Sequence, residues 1–158
     1  MTSQQTATNT TELLLSNLND ECEALRAFVV LLEDEQRALL GQHTEKLLPL
    51  SEAKIQLADK LSALARVRQQ HLQAGGLDMA EWLKRNAAQG LPTWQETRRL
   101  AAHLQRLNQT NGELIQIKLR YNQQALGVLY GAAQSTAGLY GADGQPNQPS
   151  ASRVLGSV

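Results

Sequence analysis

LLLSNLNDECEALRAFVVLLEDEQRALL, residues 13–40, decides the fold. Every third or fourth position is apolar: Leu15, Leu18, Cys22, Leu25, Val29, Leu32 and Leu39, with Gln36 the one departure. Alternating 3-4 spacing gathers such side chains along one side of a helix, as in a coiled-coil seam. Leu14, Phe28 and Leu31 make the stripe wider than a two-stranded coil needs, which points to a helix in a bundle. Asn9 with Glu12 is a capping-box pattern, so the helix is expected to begin near Asn9; Gly41 is expected to end it.

The rest of the chain agrees with that reading. Leu, Ala, Gln, Glu, Arg and Lys are abundant, Ile is scarce and Phe occurs once, so helix formers dominate without their strand counterparts. A second helix is expected from about Thr44 to Gln73, carrying Leu50, Leu57, Leu61, Leu64 and Val67 or Arg68 as its stripe, with Ala74-Gly75-Gly76 as its stop. Pro49 leaves two options: a kink, or regular helix starting around Pro49 after an irregular turn. Asp78, with Glu81 as box partner, should cap a short helix through about Ala87. Gly90-Leu91-Pro92 reads as a break, and Thr93-Trp94-Gln95-Glu96 as a capping box opening the longest helix, to about Tyr130. That is roughly 36 residues, ~55 Å at 1.5 Å per residue. Its seam is Thr97, Leu100, Leu104, Leu107, Asn111, Leu114, Lys118, Tyr121, Ala125 and Val128, diluted by polar Asn111 and Lys118.

The expected fold is therefore all-α: an antiparallel bundle of three long helices plus one short helix, with a flexible C-terminal tail. Residues 1–10 read as a flexible N-terminus, 11–132 as the bundle, and 133–158, rich in Gly, Ser, Ala, Gln and Pro, as a tail that is disordered or ordered by a partner.

Composition excludes several functions. Fifteen basic residues balance fifteen acidic ones, and the isoelectric point is near 6.8. A nucleic-acid binder or a protein held on anionic lipid would show a clustered basic excess. The longest apolar run, Phe28–Leu32, is far short of a membrane span, so no membrane insertion is expected. The first residues show neither the basic nor the apolar region of a signal peptide. Cys22 is the only cysteine; it makes no disulfide framework, reads as a buried small hydrophobe, and suits a reducing cytoplasm.

No catalytic, cofactor or metal site can be assembled. His43, His71 and His103 each stand alone, without Glu-x-x-His, His-Glu-x-x-His, paired Cys-x-x-Cys, a phosphate loop or a nucleophile elbow. Glu33-Asp34-Glu35 reads as a solvated acidic face or a contact for a basic partner. Trp82 and Trp94 either pin the short helix to the bundle end or form an exposed aromatic patch. Gly112 costs about 1 kcal/mol against alanine inside a helix. It marks close helix packing, or a bend or a partner's backbone lying near. Leu139-Tyr140, alone among small and polar residues, is a segment that docks back on the bundle or a short linear motif. Its full burial would be worth ~4 kcal/mol before ordering costs.

Three stretches carry a resemblance: Leu107–Ile115 (LNQTNGELI), Asn122–Leu126 (NQQAL) and Leu139–Gln145 (LYGADGQ). In their order and spacing the chain resembles the FlgN family, chaperones of bacterial flagellar export. The resemblance runs over nearly the whole chain and is most specific in the C-terminal third; Pro49 departs from it. It implies a non-enzymatic cytoplasmic chaperone that binds the C-terminal helical segments of the two hook-filament junction proteins, prevents premature assembly, and delivers them to the export gate and the export ATPase complex. It implies no cofactor, and a monomer or weak homodimer. The residues fit such a role, because a clamp for an amphipathic helix needs unpaired apolar positions on a helical surface. The expected cargo residues are Asn111, Leu114, Lys118, Tyr121, Leu126, Val128, Leu129 and Tyr130. Leu139, Tyr140 and Gly141 are the expected tail anchor for gate or cargo. The alternative is a structural bundle that self-associates through its seams.

Overall fold

The structure is a computed structural model, and it describes the backbone of residues 2–41, 43–73 and 76–139 and the side chains of residues 8–41, 43–73 and 76–135. Four helices make up the described chain: α1 (Thr2–Leu40), α2 (Leu47–Gln73), α3 (Met79–Asn86) and α4 (Leu91–Leu139). There is no strand among the described residues. The chain divides into two units, residues 1–115 and 116–158.

In the first unit, α1 is the central element. Leu14, Leu18, Cys22, Leu25, Val29, Leu32 and Leu39 are all buried, as are Phe28 and Leu31. The seam read from the sequence is thus the core, while Leu15 is only partly buried. Helix α1 starts at Thr2 rather than near Asn9, so Asn9 and Glu12 lie inside it and do not form its cap. It ends at Leu40, one residue before Gly41, and the His43 amide turns back to the Ala38 carbonyl at 3.0 Å.

Between α1 and α2, Thr44–Lys46 forms a 3₁₀ turn, and regular helix begins at Leu47. Pro49 is therefore in the first turn of α2, where an amide has no acceptor within the helix and its absence costs little. The irregular-turn option is the one realised. Gly76, at φ 65°, occupies the left-handed region in the turn after α2.

Asp78 caps α3 as expected, its Oδ1 accepting from the Glu81 amide at 2.9 Å. The box is only half made, because the Glu81 side chain pairs with Lys84. The expected break at Gly90-Leu91-Pro92 falls earlier, at non-helical Ala87, followed by a 3₁₀ turn over Ala88–Gly90 that runs into α4 at Leu91. Pro92 sits harmlessly in the first turn of α4. Thr93 does not cap it: the Thr93 carbonyl accepts from Thr97 Oγ1, and Glu96 pairs with Arg99. Gly90 is buried, and a Cβ there would lie 2.7 Å from methyl carbons of both Leu15 and Leu83.

Contacts advance in step along α1 and α4: Leu100 packs with Cys22, Leu25 and Val29, and Asn111 reaches Leu32 and Glu35. They advance in opposite senses along α1 and α2, where Arg68 meets Glu21 and Lys54 meets Glu35. So α1 and residues 91–115 of α4 run parallel, with α2 antiparallel to both, as the up-down-up reading requires. Trp82 and Trp94 pack against the cluster of Leu14, Leu18, Leu72, Met79, Leu83 and Ala87, at the end closed by α3. The pinning role is the one seen, and both rings are partly buried.

Candidate functional site

Two polar clamps cross the apolar seam of the first unit. Glu21 accepts both guanidinium hydrogen bonds of Arg68, at 2.9 and 3.0 Å. Glu35 accepts from Lys54 Nζ at 3.2 Å and from Asn111 Nδ2 at 2.8 Å. Glu21 and Glu35 stand two heptads apart on α1, as do Arg68 and Lys54 on α2. The pairs therefore fit only one antiparallel register, because a slip of one turn leaves both carboxylates buried without a cation. Glu35 is buried, so the acidic run is not a uniformly solvated face: Glu35 is a packing element, Asp34 pairs with Arg37, and Glu33 faces His103 at 3.9 Å.

Asn111 is fully buried, donating also to the Leu32 carbonyl at 2.8 Å, and its Oδ1 has no partner among the described residues. The first interruption of the α4 seam is thus an internal hydrogen-bond donor; a cargo segment could reach it only by displacing Glu35 or Leu32. Leu114 is half-buried, and Gly112 has open space where a side chain would be, so crowding does not explain this glycine.

The second unit presents a different surface. Residues 121–135 are all exposed, among them Tyr121, Leu126, Val128, Leu129 and Tyr130, the last three each at least 66% exposed. Lys118 is half-buried, and Ile117 and Leu119 are exposed. At 3.6 residues per turn, Gln116, Arg120, Gln123, Gln124 and Gln134 fall on one side of this helix, and the apolar residues spread over the remainder. Lys118 and Arg120 are the only charges in residues 116–139. Exposed apolar surface of this kind, here interrupted by Lys118 and Asn122, marks a site of association. Five of the eight expected cargo residues, Tyr121, Leu126, Val128, Leu129 and Tyr130, therefore lie on one exposed helical segment, with half-buried Lys118 just before it. Sequence periodicity alone missed Ile117 and Leu119, which fall between the seam positions.

Of the expected anchor, Leu139 is the last residue of α4 and its side chain is outside the described residues; Tyr140 and Gly141 lie outside them altogether. Cys22 is buried among Leu25, Val29 and Leu100, where it acts as a small apolar group. No described helix is long and apolar enough to cross a membrane.

No curated protein and no solved structure matches the chain. The family model described as FlgN protein matches residues 1–148, which takes in the clamped helices, the exposed end of α4 and the Leu139–Gly141 stretch. By that match, over nearly its whole length, the chain belongs to the FlgN family of flagellar export chaperones.

Proposed function

We propose that this chain is a cytoplasmic chaperone that holds the C-terminal helical segments of the hook-filament junction proteins and hands them to the export gate. The observation that carries the reading is the exposed apolar surface of α4 between Ile117 and Tyr130. A helix with a polar side and a broad apolar side, exposed among the described residues, suits a partner helix laid along it. Lys118, Tyr121, Leu126, Val128, Leu129 and Tyr130 form the contact surface, and Leu114, in the first unit, is a further cargo contact. Asn111 serves it indirectly, by fixing α4 on α1 through Glu35.

Leu139, Tyr140 and Gly141 act as an anchor beside this surface, for the export gate and its ATPase complex or for cargo itself. Their isolation among Gly, Ala, Gln and Pro supports an anchoring role. Release requires moderate affinity, which a partner-ordered segment supplies because ordering offsets part of the contact energy. The chaperone works as a monomer or weak homodimer.

The test is calorimetric titration of a junction protein's C-terminal segment into the full chain and into a form ending at Ala133. Equal binding to both places cargo on the helix and assigns Leu139-Tyr140 to the gate; Tyr140→Ala then spares folding and binding and cuts export. Loss in the shorter form makes the tail part of the clamp. No binding to either form overturns the reading, and sedimentation showing growing oligomers would favour self-association instead.

A further inference from the structure

The first unit has a second unfilled apolar surface. In a closed three-helix bundle the seams of all three helices are buried. Here the α1 seam is buried from Leu14 to Leu39, while Leu57, Leu61 and Leu64 of α2 and Leu104 and Leu107 of α4 are only half-buried. Helices α2 and α4 both lean on α1 and leave a groove of about 310 Å³ between them, lined by Leu25, Leu61, Ala65, Trp94, Arg98 and Ala101. Small Ala65 and Ala101 on opposite walls let another helix come close.

Charge decides what fits there. Arg98 is exposed and has no ion pair among the described residues. On the far side of Trp94, Lys84 and Arg99 line an adjoining hollow of about 460 Å³ that Arg98 also borders. Glu21, the carboxylate that lines the groove, is held by Arg68, while Lys84 and Arg99 pair with Glu81 and Glu96. The last two are exposed pairs within one helix, and such pairs exchange partners at little cost. Their hydrogen bonds raise Lys84 and Arg99 and lower Glu96 relative to their ordinary values, so all stay ionised near neutral pH. Arg68, 5.0 Å from the Trp94 ring centroid and tied to Glu21, stiffens that ring as a platform.

We propose that the α2–α4 groove is a second docking surface, which takes an acidic amphipathic helix of a protein partner as a fourth helix of the bundle, with a carboxylate on Arg98. It shares no residue with the cargo surface of residues 117–130, so its failure would leave the cargo reading intact.

The probe is a fluorescein-labelled peptide of about 18 residues, five helical turns, with Leu at 3-4 spacing and Glu elsewhere; a counterpart carries Lys for Glu. Anisotropy is followed on the full chain. The acidic peptide should bind at least about tenfold tighter than its Lys counterpart, a difference of about 1.4 kcal/mol. Arg98→Glu should remove that preference, and Ala101→Trp, which fills the groove, should abolish binding. Leu129→Ala with Tyr130→Ala should leave affinity within about twofold, below 0.5 kcal/mol. Equal binding of both peptides, insensitivity to Ala101→Trp, or loss through the Leu129/Tyr130 pair would overturn the proposal. So would binding of phosphatidylglycerol vesicles in place of the peptide.

Discussion

Lys54→Met should be one of the more damaging single changes available on α2. Its side chain is about a quarter exposed, but the Glu35 side chain it neutralises is only 7% exposed. Removing the cation leaves a buried carboxylate with one donor, Asn111 Nδ2, in place of two. Breaking a buried pair from one side costs about 3–5 kcal/mol, and the partial exposure of Lys54 puts this case near about 2–3 kcal/mol. The reverse test separates pairing from register. Replacing all three polar partners, Glu35→Leu with Lys54→Met and Asn111→Leu, removes the charge together with its desolvation cost. That triple variant should fall within about 1 kcal/mol of wild type, or above it. Urea unfolding followed by circular dichroism at 222 nm gives each value, with the slope checked for constancy. A Lys54→Met cost below about 0.5 kcal/mol, in the range of exposed pairs, would refute the clamp as a buried element. So would three single losses that simply add up in the triple variant, since members of one network should be non-additive.

Other expectations use the same assay. Gly112→Ala should stabilise by up to about 1 kcal/mol, because the added methyl meets nothing within 4 Å and the helix gains propensity. Gly90→Ala should cost about 1–3 kcal/mol, because its methyl would force Leu15 and the fully buried Leu83 apart. Asp78→Ala should cost about 1 kcal/mol through loss of the α3 cap, and Asp78→Asn should recover most of it.

Much of the fold could be read from residues 13–40, because a buried helix announces itself by apolar spacing. What escaped was polar. Leu14, Leu18, Glu21, Leu25, Phe28, Leu32, Glu35 and Leu39 follow an unbroken heptad rhythm, and the two carboxylates sit at seam positions. Read beside Glu33 and Asp34, Glu35 looked like part of a surface run; read by heptad, it is a core residue in need of a partner. That partner is a cation on another helix, which no local pattern names. Helix ends were misplaced for a related reason. Asn9 and Thr93 have cap-like sequences, yet helix continues through or past each, and a capping box signals an end only where the chain turns. The candidate cargo surface was legible in part. The seam rhythm of α4 persists beyond Lys118, and what sequence could not supply is the place where its neighbours stop.

The central claim is that cargo lies on the exposed apolar side of α4. The most direct measurement is titration of the junction-protein C-terminal helix into wild type and into a Leu126→Asp/Leu129→Asp variant. Both side chains are exposed, at 60% and 66%, so the variant should keep the wild-type unfolding midpoint within about 0.5 kcal/mol. The account predicts that wild type binds and that the variant, with unchanged stability, loses binding by at least about a hundredfold, about 2.7 kcal/mol. Binding of equal strength by the two proteins would contradict it.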